Sequence, residues 1–205
     1  MSIATGRVIA SITTSLDGYV VGPDDRAGQG LGVGGERLHY WVMGGPWTYA
    51  DDGRSAEGMH GADKEFFDEL TAGLGSGIVG RNMYEAAGAW GGTNPFPGPL
   101  VVLTHRIEDQ PDPSAGFWFV DGFDAALARA RELAGDGVVA LGGGADVIRQ
   151  GLVAGVVDEL AISTAPVVLG GGKRLFEGFD QDLDLEVRGV WSSPYATHVR
   201  YAVQR

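Results

Sequence analysis

The chain has 205 residues, of which 35 are glycine and none is cysteine. The glycines follow no G-X-Y period, which excludes collagen, and the lack of cysteine excludes disulfide scaffolds, thiolate zinc sites and cysteine nucleophiles. A net charge of −12 argues against general binding to nucleic acid or to an anionic membrane. The hydrophobic fraction of 44% is sufficient for one globular domain over residues 1–205. No apolar run is long enough for a membrane helix, so we expect a cytoplasmic protein.

The first predicted element is a strand over residues 7–15, which are rich in valine, isoleucine and threonine and run into a turn at Asp17. Residues 22–62 then mix glycine, proline and charge with large aromatic rings, including Trp41. Disordered linkers seldom carry several such rings, so we expect a folded loop on the ligand side. A surface flap that packs on itself or on a second subunit is the alternative.

Short helices and strands alternate from residue 63 onward. The apolar spacing predicts a helix face that contains Phe66, Phe67 and Leu70, and further helices at 82–89, 124–134 and 145–154. Strands are predicted at 77–80, 100–104, 117–120, 138–141 and 160–169, with a break at Pro166, and then as an antiparallel pair at 183–191 and 198–203. This alternation indicates a largely parallel sheet with right-handed crossovers.

Three of the predicted strands end in groups suited to a phosphate-bearing ligand. They run into Gly80-Arg81-Asn82-Met83, Thr104-His105-Arg106 and Gly142-Gly143-Gly144. Ligands of doubly wound sheets bind outside the carboxyl ends of strands, and a helix that begins near Ala145 would offer free N–H groups to a pyrophosphate. The alternative for the three glycines is tight packing of strand against helix.

The cations at these strand ends favour NADP(H) over NAD(H), because a 2′-phosphate needs a cation where a ribose hydroxyl needs an acid. A literal G-x-G-x-x-G at Gly30, Gly32 and Gly35 follows no strand, so we do not interpret it as a dinucleotide fingerprint. The four histidines are scattered without metal-ligand spacing, and no metal site is expected.

Five segments in order resemble the dihydrofolate reductase superfamily. They are VIASITTSLDGYVVG (8–22), IVGRNMYEA (78–86), VVLTHR (101–106), VVALGGGADVIRQGL (138–152) and VDELAISTAPVVLGGGKRLFEG (157–178). The chain is most similar to the reductase domain of the bacterial bifunctional riboflavin-biosynthesis deaminase-reductase and its stand-alone relatives. The resemblance implies a three-layer α/β/α fold, a mostly parallel sheet with a C-terminal antiparallel hairpin, NADPH as cofactor, and a homodimer.

The resemblance also implies roles for individual residues. Asp17 would shape the nicotinamide end or only cap its turn. The cofactor phosphates would contact Gly80, Arg81, Asn82, Met83, Thr104, His105, Arg106, Gly142, Gly143, Gly144, Ala145 and Asp146. Met83 stands where relatives often have threonine, which removes one hydroxyl contact. Asp63 lies near the position of the acid that orients a pterin, but it is also a plausible helix N-cap.

The substrate is less constrained than the cofactor. A phosphate on a riboflavin-pathway substrate would need a second cationic pocket, which Arg26, Arg37 and Arg54 could supply, while the segment that contains Trp41 could instead stack on a flat ring. We therefore expect Arg37 and Trp41 to contact substrate. The resemblance implies reduction of a C=N or C=O bond, either of the aminouracil-ribosyl phosphate type or of a dihydropterin. A dimeric NADP-binding module without turnover is the alternative of another class.

Overall fold

The computed structural model describes residues 6–51 and 58–204. The strands are β1 (Val8–Ser15), β2 (Tyr19–Val21), β3 (Leu74–Gly80), β4 (Leu100–Leu103), β5 (Phe117–Val120), β6 (Val138–Leu141), β7 (Glu159–Ala165), β8 (Lys173–Arg174), β9 (Leu185–Ser192) and β10 (Thr197–Val203). The α-helices are α1 (Tyr40–Met43), α2 (Gly61–Thr71), α3 (Arg81–Ala86), α4 (Phe123–Ala134) and α5 (Ala145–Val153).

Eight strands form the central sheet, in the order β5-β4-β3-β6-β1-β7-β10-β9. The first six of these are parallel, and β10 runs antiparallel to both β7 and β9. The fold is therefore the predicted mostly parallel sheet with a C-terminal antiparallel pair. Strands β2 and β8 form a separate two-stranded sheet.

The alternation of side chains along β1 creates the two faces of the sheet. Val8 and Ala10 are buried in a core cluster with residues of α4 and α5. Ile9 and Thr13 point to the opposite face, because successive strand residues alternate in direction. That second face is covered by Trp41 and by Phe66 of α2. Helices thus flank both faces, which confirms the three-layer architecture.

The described part of the stretch 22–62 is folded, as expected, and contains a 3-10 helix at Gly35–His39 and the short helix α1, with Leu38, Trp41 and Trp47 buried. Two local predictions need correction. Strand β7 ends at Ala165, because Pro166 cannot donate a ladder hydrogen bond. The N-cap of α2 is His60 and not Asp63, which lies inside the helix.

Candidate functional site

A cavity of about 1080 Å³ opens along the carboxyl ends of the parallel strands and extends beneath α2. Its first part, which we call the phosphate edge, consists of residues 80–83, 104–106 and 142–146. Its second part, the aromatic chamber, lies between the sheet and α2 and is lined by Ile9, Thr13, Trp41, Phe66, Phe67, Leu70 and Ser163. All predicted cofactor residues except Asp17 therefore meet in one cavity.

The glycines of the phosphate edge tie the ends of β3 and β6 together. The Gly80 N–H donates to the Gly143 carbonyl at 2.8 Å, and the Gly142 N–H donates to the Ile78 carbonyl at 3.0 Å. A Cβ added at Gly142 or Gly144 would meet no atom within 4 Å, whereas one at Gly143 would lie 2.3 Å from Met83 Sδ. The open space at Gly142 and Gly144 lets a ligand approach the backbone closely.

Helix α5 begins at this edge without a side-chain cap. The N-terminus of a helix carries partial positive charge and unpaired N–H groups, which suit an anion. Asp146 in the first turn forms an ion pair with Arg149, which also donates to the carbonyls of Arg174 and Leu175 at 3.1 Å. Arg149, one turn further along α5, thus holds the Asp146 carboxylate at the start of the helix.

Two arginines and two carboxylates form a compact cluster at the ends of β3 and β4. Arg81 donates from Nε to Glu85 and from Nη2 to Asp109, both at 2.8 Å, and Arg106 pairs with Glu85. These ion pairs lower the pKa of Glu85, with the Arg81 hydrogen bond as the main cause. The Nη1 atom of Arg81 is buried without a partner among the described residues. Because that nitrogen is buried, a ligand oxygen could reach it only if the side chain moved.

The remaining residues of this edge are arranged around the cluster. The Thr104 hydroxyl accepts from the Arg106 N–H at 3.0 Å, and the exposed His105 contacts Asp121. The Arg81 guanidinium lies over the rings of Tyr84 and Phe119, at 5.7 and 5.1 Å from their centroids. Stacking and ion pairs together hold its side chain in position.

Asp17 has a structural role in the turn between β1 and β2. Its carboxylate accepts from the Ser15 hydroxyl at 2.6 Å and from the N–H groups of Leu169 and Gly170 at 3.1 and 2.8 Å. The Ser15 hydrogen bond is the main cause of a pKa lowered to about 2. Asp17 does not line the cavity in the part of the chain that the structure describes. It fastens the segment after β7 to the first turn.

The aromatic chamber contains one predicted substrate residue, Trp41, but not the other. Arg37 lines a separate cavity of about 370 Å³, together with Pro166, Val168 and Tyr195. Arg54 lies outside the described residues. His39 also lines the main cavity, where burial lowers its pKa to about 4. It is therefore neutral at physiological pH.

A buried hydrogen-bonded chain lies beside the chamber. His198 on β10 contacts Asp63 through Nε2 at 2.8 Å and Ser163 through Nδ1 at 2.7 Å, and its ring stacks on Phe66 at 4.2 Å. Asp63, Ser163 and His198 are 2%, 2% and 0% exposed, and of the three only Ser163 lines the cavity. The candidate acid Asp63 is thus separated from the cavity by a histidine and a serine.

The sequence analysis missed His198 and Ser163 as parts of this site. Asp63 and His198 are 135 residues apart, and Ser163 and His198 are 35 apart. No local motif links them, because each lies in an ordinary strand or helix. The alternation of β7 and β10 places them on one face only once the register between the strands is known.

A cationic group was also missed beside the phosphate edge. Arg149, Lys173 and Arg174 line the cavity, and Arg149 is the residue that pairs with Asp146 of that edge. Lys173 pairs with Asp25, and the Arg174 guanidinium lies 4.7 Å from the centroid of the Tyr19 ring. Strand β8 has only two residues, so its lysine and arginine carry no periodic signal in the sequence.

Comparisons with known proteins show what the chain is similar to. A family model described as the RibD C-terminal domain matches residues 7–199. A candidate riboflavin biosynthesis protein from Shewanella sp. PV-4 is 21% identical with a TM-score of 0.70, and the alignment covers 97% of this chain and 99% of that chain. No curated protein matches the sequence.

Two further solved structures share the fold. A dihydrofolate reductase from Enterococcus faecalis, complexed with NADP(H), is 20% identical with a TM-score of 0.62, and the alignment covers 98% of both chains. A diaminohydroxyphosphoribosylaminopyrimidine deaminase/5-amino-6-(5-phosphoribosylamino)uracil reductase from Thermotoga maritima is 15% identical with a TM-score of 0.62, and the alignment covers 98% of this chain and 57% of that chain. Within the described residues, no helix is both long and apolar enough to cross a membrane.

Proposed function

The chain belongs to the RibD C-terminal domain family, and from that premise we propose that it is an NADPH-dependent reductase acting on a C=N or C=O bond of a small heterocycle. The observation that carries the proposal is the continuity of the cavity. One space joins the phosphate edge, with its glycines and arginines, to an aromatic chamber whose rings suit a flat heterocycle. A dinucleotide and a small substrate could meet where the two parts join.

The residues at the phosphate edge fit a bound dinucleotide phosphate. The open backbone at Gly142 and Gly144 lets anionic oxygens come close, and the uncapped start of α5 offers them free N–H donors. NADPH, when bound, supplies the hydride. The protein would hold its phosphates at this edge, orient the substrate in the chamber and exclude water from both.

Preference for NADPH over NADH is expected to be modest. Arg81 and Arg106 could both reach a 2′-phosphate, but Glu85 and Asp109 already neutralise them. A charge-assisted hydrogen bond contributes about 1.5–3 kcal/mol to binding. Because the carboxylates already neutralise part of the arginine charge, we expect NADPH to bind about tenfold more tightly than NADH. The proposal therefore places Arg106, whose side chain is about half exposed, as the main discriminating residue.

Within this activity, a phosphoribosylaminouracil-type substrate is favoured over a dihydropterin. Arg149, Lys173 and Arg174 line the cavity beside the phosphate edge and could hold a substrate phosphate in addition to those of the cofactor, and a dihydropterin has no such phosphate. Arg37, predicted for this purpose, lies in the other cavity. The single-domain organisation, the cytoplasmic location and the homodimer stay part of the proposal. Edge strand β9, which exposes Val187 and Val190, is a suitable dimer surface.

Titration with NADPH and NADH by fluorescence tests the cofactor, and NADPH oxidation with each of the two substrates tests the reaction. We expect Arg106→Ala to remove most of the preference for NADPH, whereas Arg188→Ala, an exposed arginine on β9, should leave it unchanged. No NADPH binding at tens of micromolar would refute the proposal. Tight binding without oxidation in the presence of any heterocycle would favour the non-catalytic module.

A further inference from the structure

Four side chains lie in one row across the second face of the sheet. The register pairs Thr13 on β1 with Ser163 on β7, Ser163 with His198 on β10, and His198 with Trp191 on β9. Thr13 and Ser163 line the aromatic chamber, while His198 lies behind them beneath Phe66. The row therefore connects two hydroxyl groups on the chamber wall to a buried imidazole.

The buried end of the row determines which nitrogen of His198 carries a proton. A carboxylate only accepts hydrogen bonds, so the contact with Asp63 places a hydrogen on Nε2. Burial is the main cause of a lowered pKa of His198, and the neighbouring Asp63 opposes it only in part. The imidazole is then neutral, and its Nδ1 presents a lone pair to Ser163.

A serine hydroxyl has one hydrogen. Because Nδ1 accepts it at 2.7 Å, the Ser163 oxygen has only lone pairs left for a ligand in the chamber. Thr13 instead offers a hydrogen-bond donor to the chamber. Its hydroxyl oxygen accepts from Trp41 Nε1, which can only donate, at 3.0 Å, so its own hydrogen is available.

We propose that Asp63 and His198 act as positioning residues that make Ser163 an obligatory acceptor, so that Ser163 and Thr13 together select ligands with an N–H group beside a carbonyl oxygen. Neighbouring strands are about 4.8 Å apart, which lets two paired side chains reach adjacent groups of one ring. This inference rests on the proposed function, since it assigns the specificity of the same chamber. It differs from direct contact by Asp63, which does not reach the cavity in the described part of the chain.

The test uses two fluorescent probes and the whole protein with NADPH bound. Lumazine has ring N–H groups beside carbonyls, and 1,3-dimethyllumazine has methyl groups in place of both hydrogens. We expect the wild-type protein to bind lumazine about tenfold more tightly, which corresponds to about one hydrogen bond. Ser163→Ala should reduce this ratio to near one by weakening lumazine alone.

Ser76→Ala is the matched control, because Ser76 is equally buried and donates to the Ala130 carbonyl away from the cavity. It should keep the wild-type ratio. A ratio near one in the wild type, a ratio unchanged by Ser163→Ala, or no binding of either probe would overturn the inference. The NADPH titration is separate, so its failure would refute the proposed function instead.

A measurement that needs no variant examines the tautomer itself. Nitrogen-15 NMR of the histidines in the wild-type protein should show His198 protonated at Nε2 and unprotonated at Nδ1 at pH 7. The reverse tautomer would free the Ser163 hydrogen for the ligand and would overturn the inference. A merely structural role of the buried pair would not predict the probe ratio.

Discussion

Alanine substitutions at two neighbouring glycines should separate ligand binding from stability at the phosphate edge. Gly142→Ala adds a methyl group in open space, and its φ lies outside the left-handed region. We therefore expect the free energy of unfolding to change by less than about 1 kcal/mol, and any change to be stabilising through the unfolded chain. The methyl group would nevertheless stand between the backbone and a phosphate.

The expected loss of affinity follows from the contacts that the methyl group would break. One charge-assisted hydrogen bond contributes about 1.5–3 kcal/mol, so Gly142→Ala should raise the Kd for NADPH about 10- to 100-fold. Gly143→Ala should instead unfold the protein more easily. Its φ of 127° is strained for alanine by about 1–3 kcal/mol.

Overlap with Met83 adds a second cost at Gly143. The new Cβ would lie 2.3 Å from Met83 Sδ, and because methionine is flexible we expect the lower end of the overpacking range, about 1 kcal/mol. The sum of about 2–4 kcal/mol should lower the Tm by at least about 4 °C. Adding Met83→Ala to the Gly143→Ala protein should restore only the part of the stability that the overlap costs, about 1 kcal/mol.

Thermal unfolding and fluorescence titration with NADPH measure the two effects on the same samples. The reasoning fails if Gly142→Ala binds NADPH as tightly as the wild type, or if Gly143→Ala keeps the wild-type Tm. Full recovery of the Tm by Met83→Ala would show that the backbone strain is negligible.

Three further predictions concern stability. Thr13→Val leaves the buried Trp41 N–H without its acceptor and should cost about 1–3 kcal/mol in urea unfolding; an unchanged midpoint would contradict the hydrogen bond. Burial lowers the pKa of His39 from 6.5 to about 4 in the folded protein, so the free energy of unfolding should decline as the pH falls from 6.5 toward 4. His39→Gln should make this decline shallower, and the same decline in both proteins would exclude a contribution from His39. Asp17 has a folded pKa of about 2 against 3.8, so Asp17→Asn should lower the Tm at pH 7, and the difference from the wild type should shrink as the pH falls from about 4 toward 2. A difference that persists at pH 2 would show that the carboxylate charge is irrelevant.

The sequence predicted most of the sheet, because its buried strands are short apolar runs separated by glycine and helical periodicity. It did not predict β2 and β8, since strands of three and two residues have no measurable period. It also left residues 35–43 as loop, although they form two helical turns around the buried Leu38 and Trp41. There the burial of particular side chains outweighs a composition rich in glycine.

The site was predictable where it follows strand ends and unpredictable where it depends on pairing between distant strands. The proposed cofactor residues Gly80, Thr104 and Gly142 lie together because parallel strands share one carboxyl edge. The pairing of Asp63 with His198 depends on β10 returning antiparallel beside β7, and no composition rule fixes that register.

The position of β1 has a consequence for how the chain reaches its folded state. This strand comes first in the sequence but lies between β6 and β7, and Ile9 pairs with Glu159, 150 residues later. At about 5–20 residues per second, a ribosome needs roughly 8–30 s to deliver that partner. Both edges of β1 lack their final neighbours until Val139 of β6 follows, 131 residues after its partner Val8, so we expect slow folding and a need for chaperone protection during synthesis.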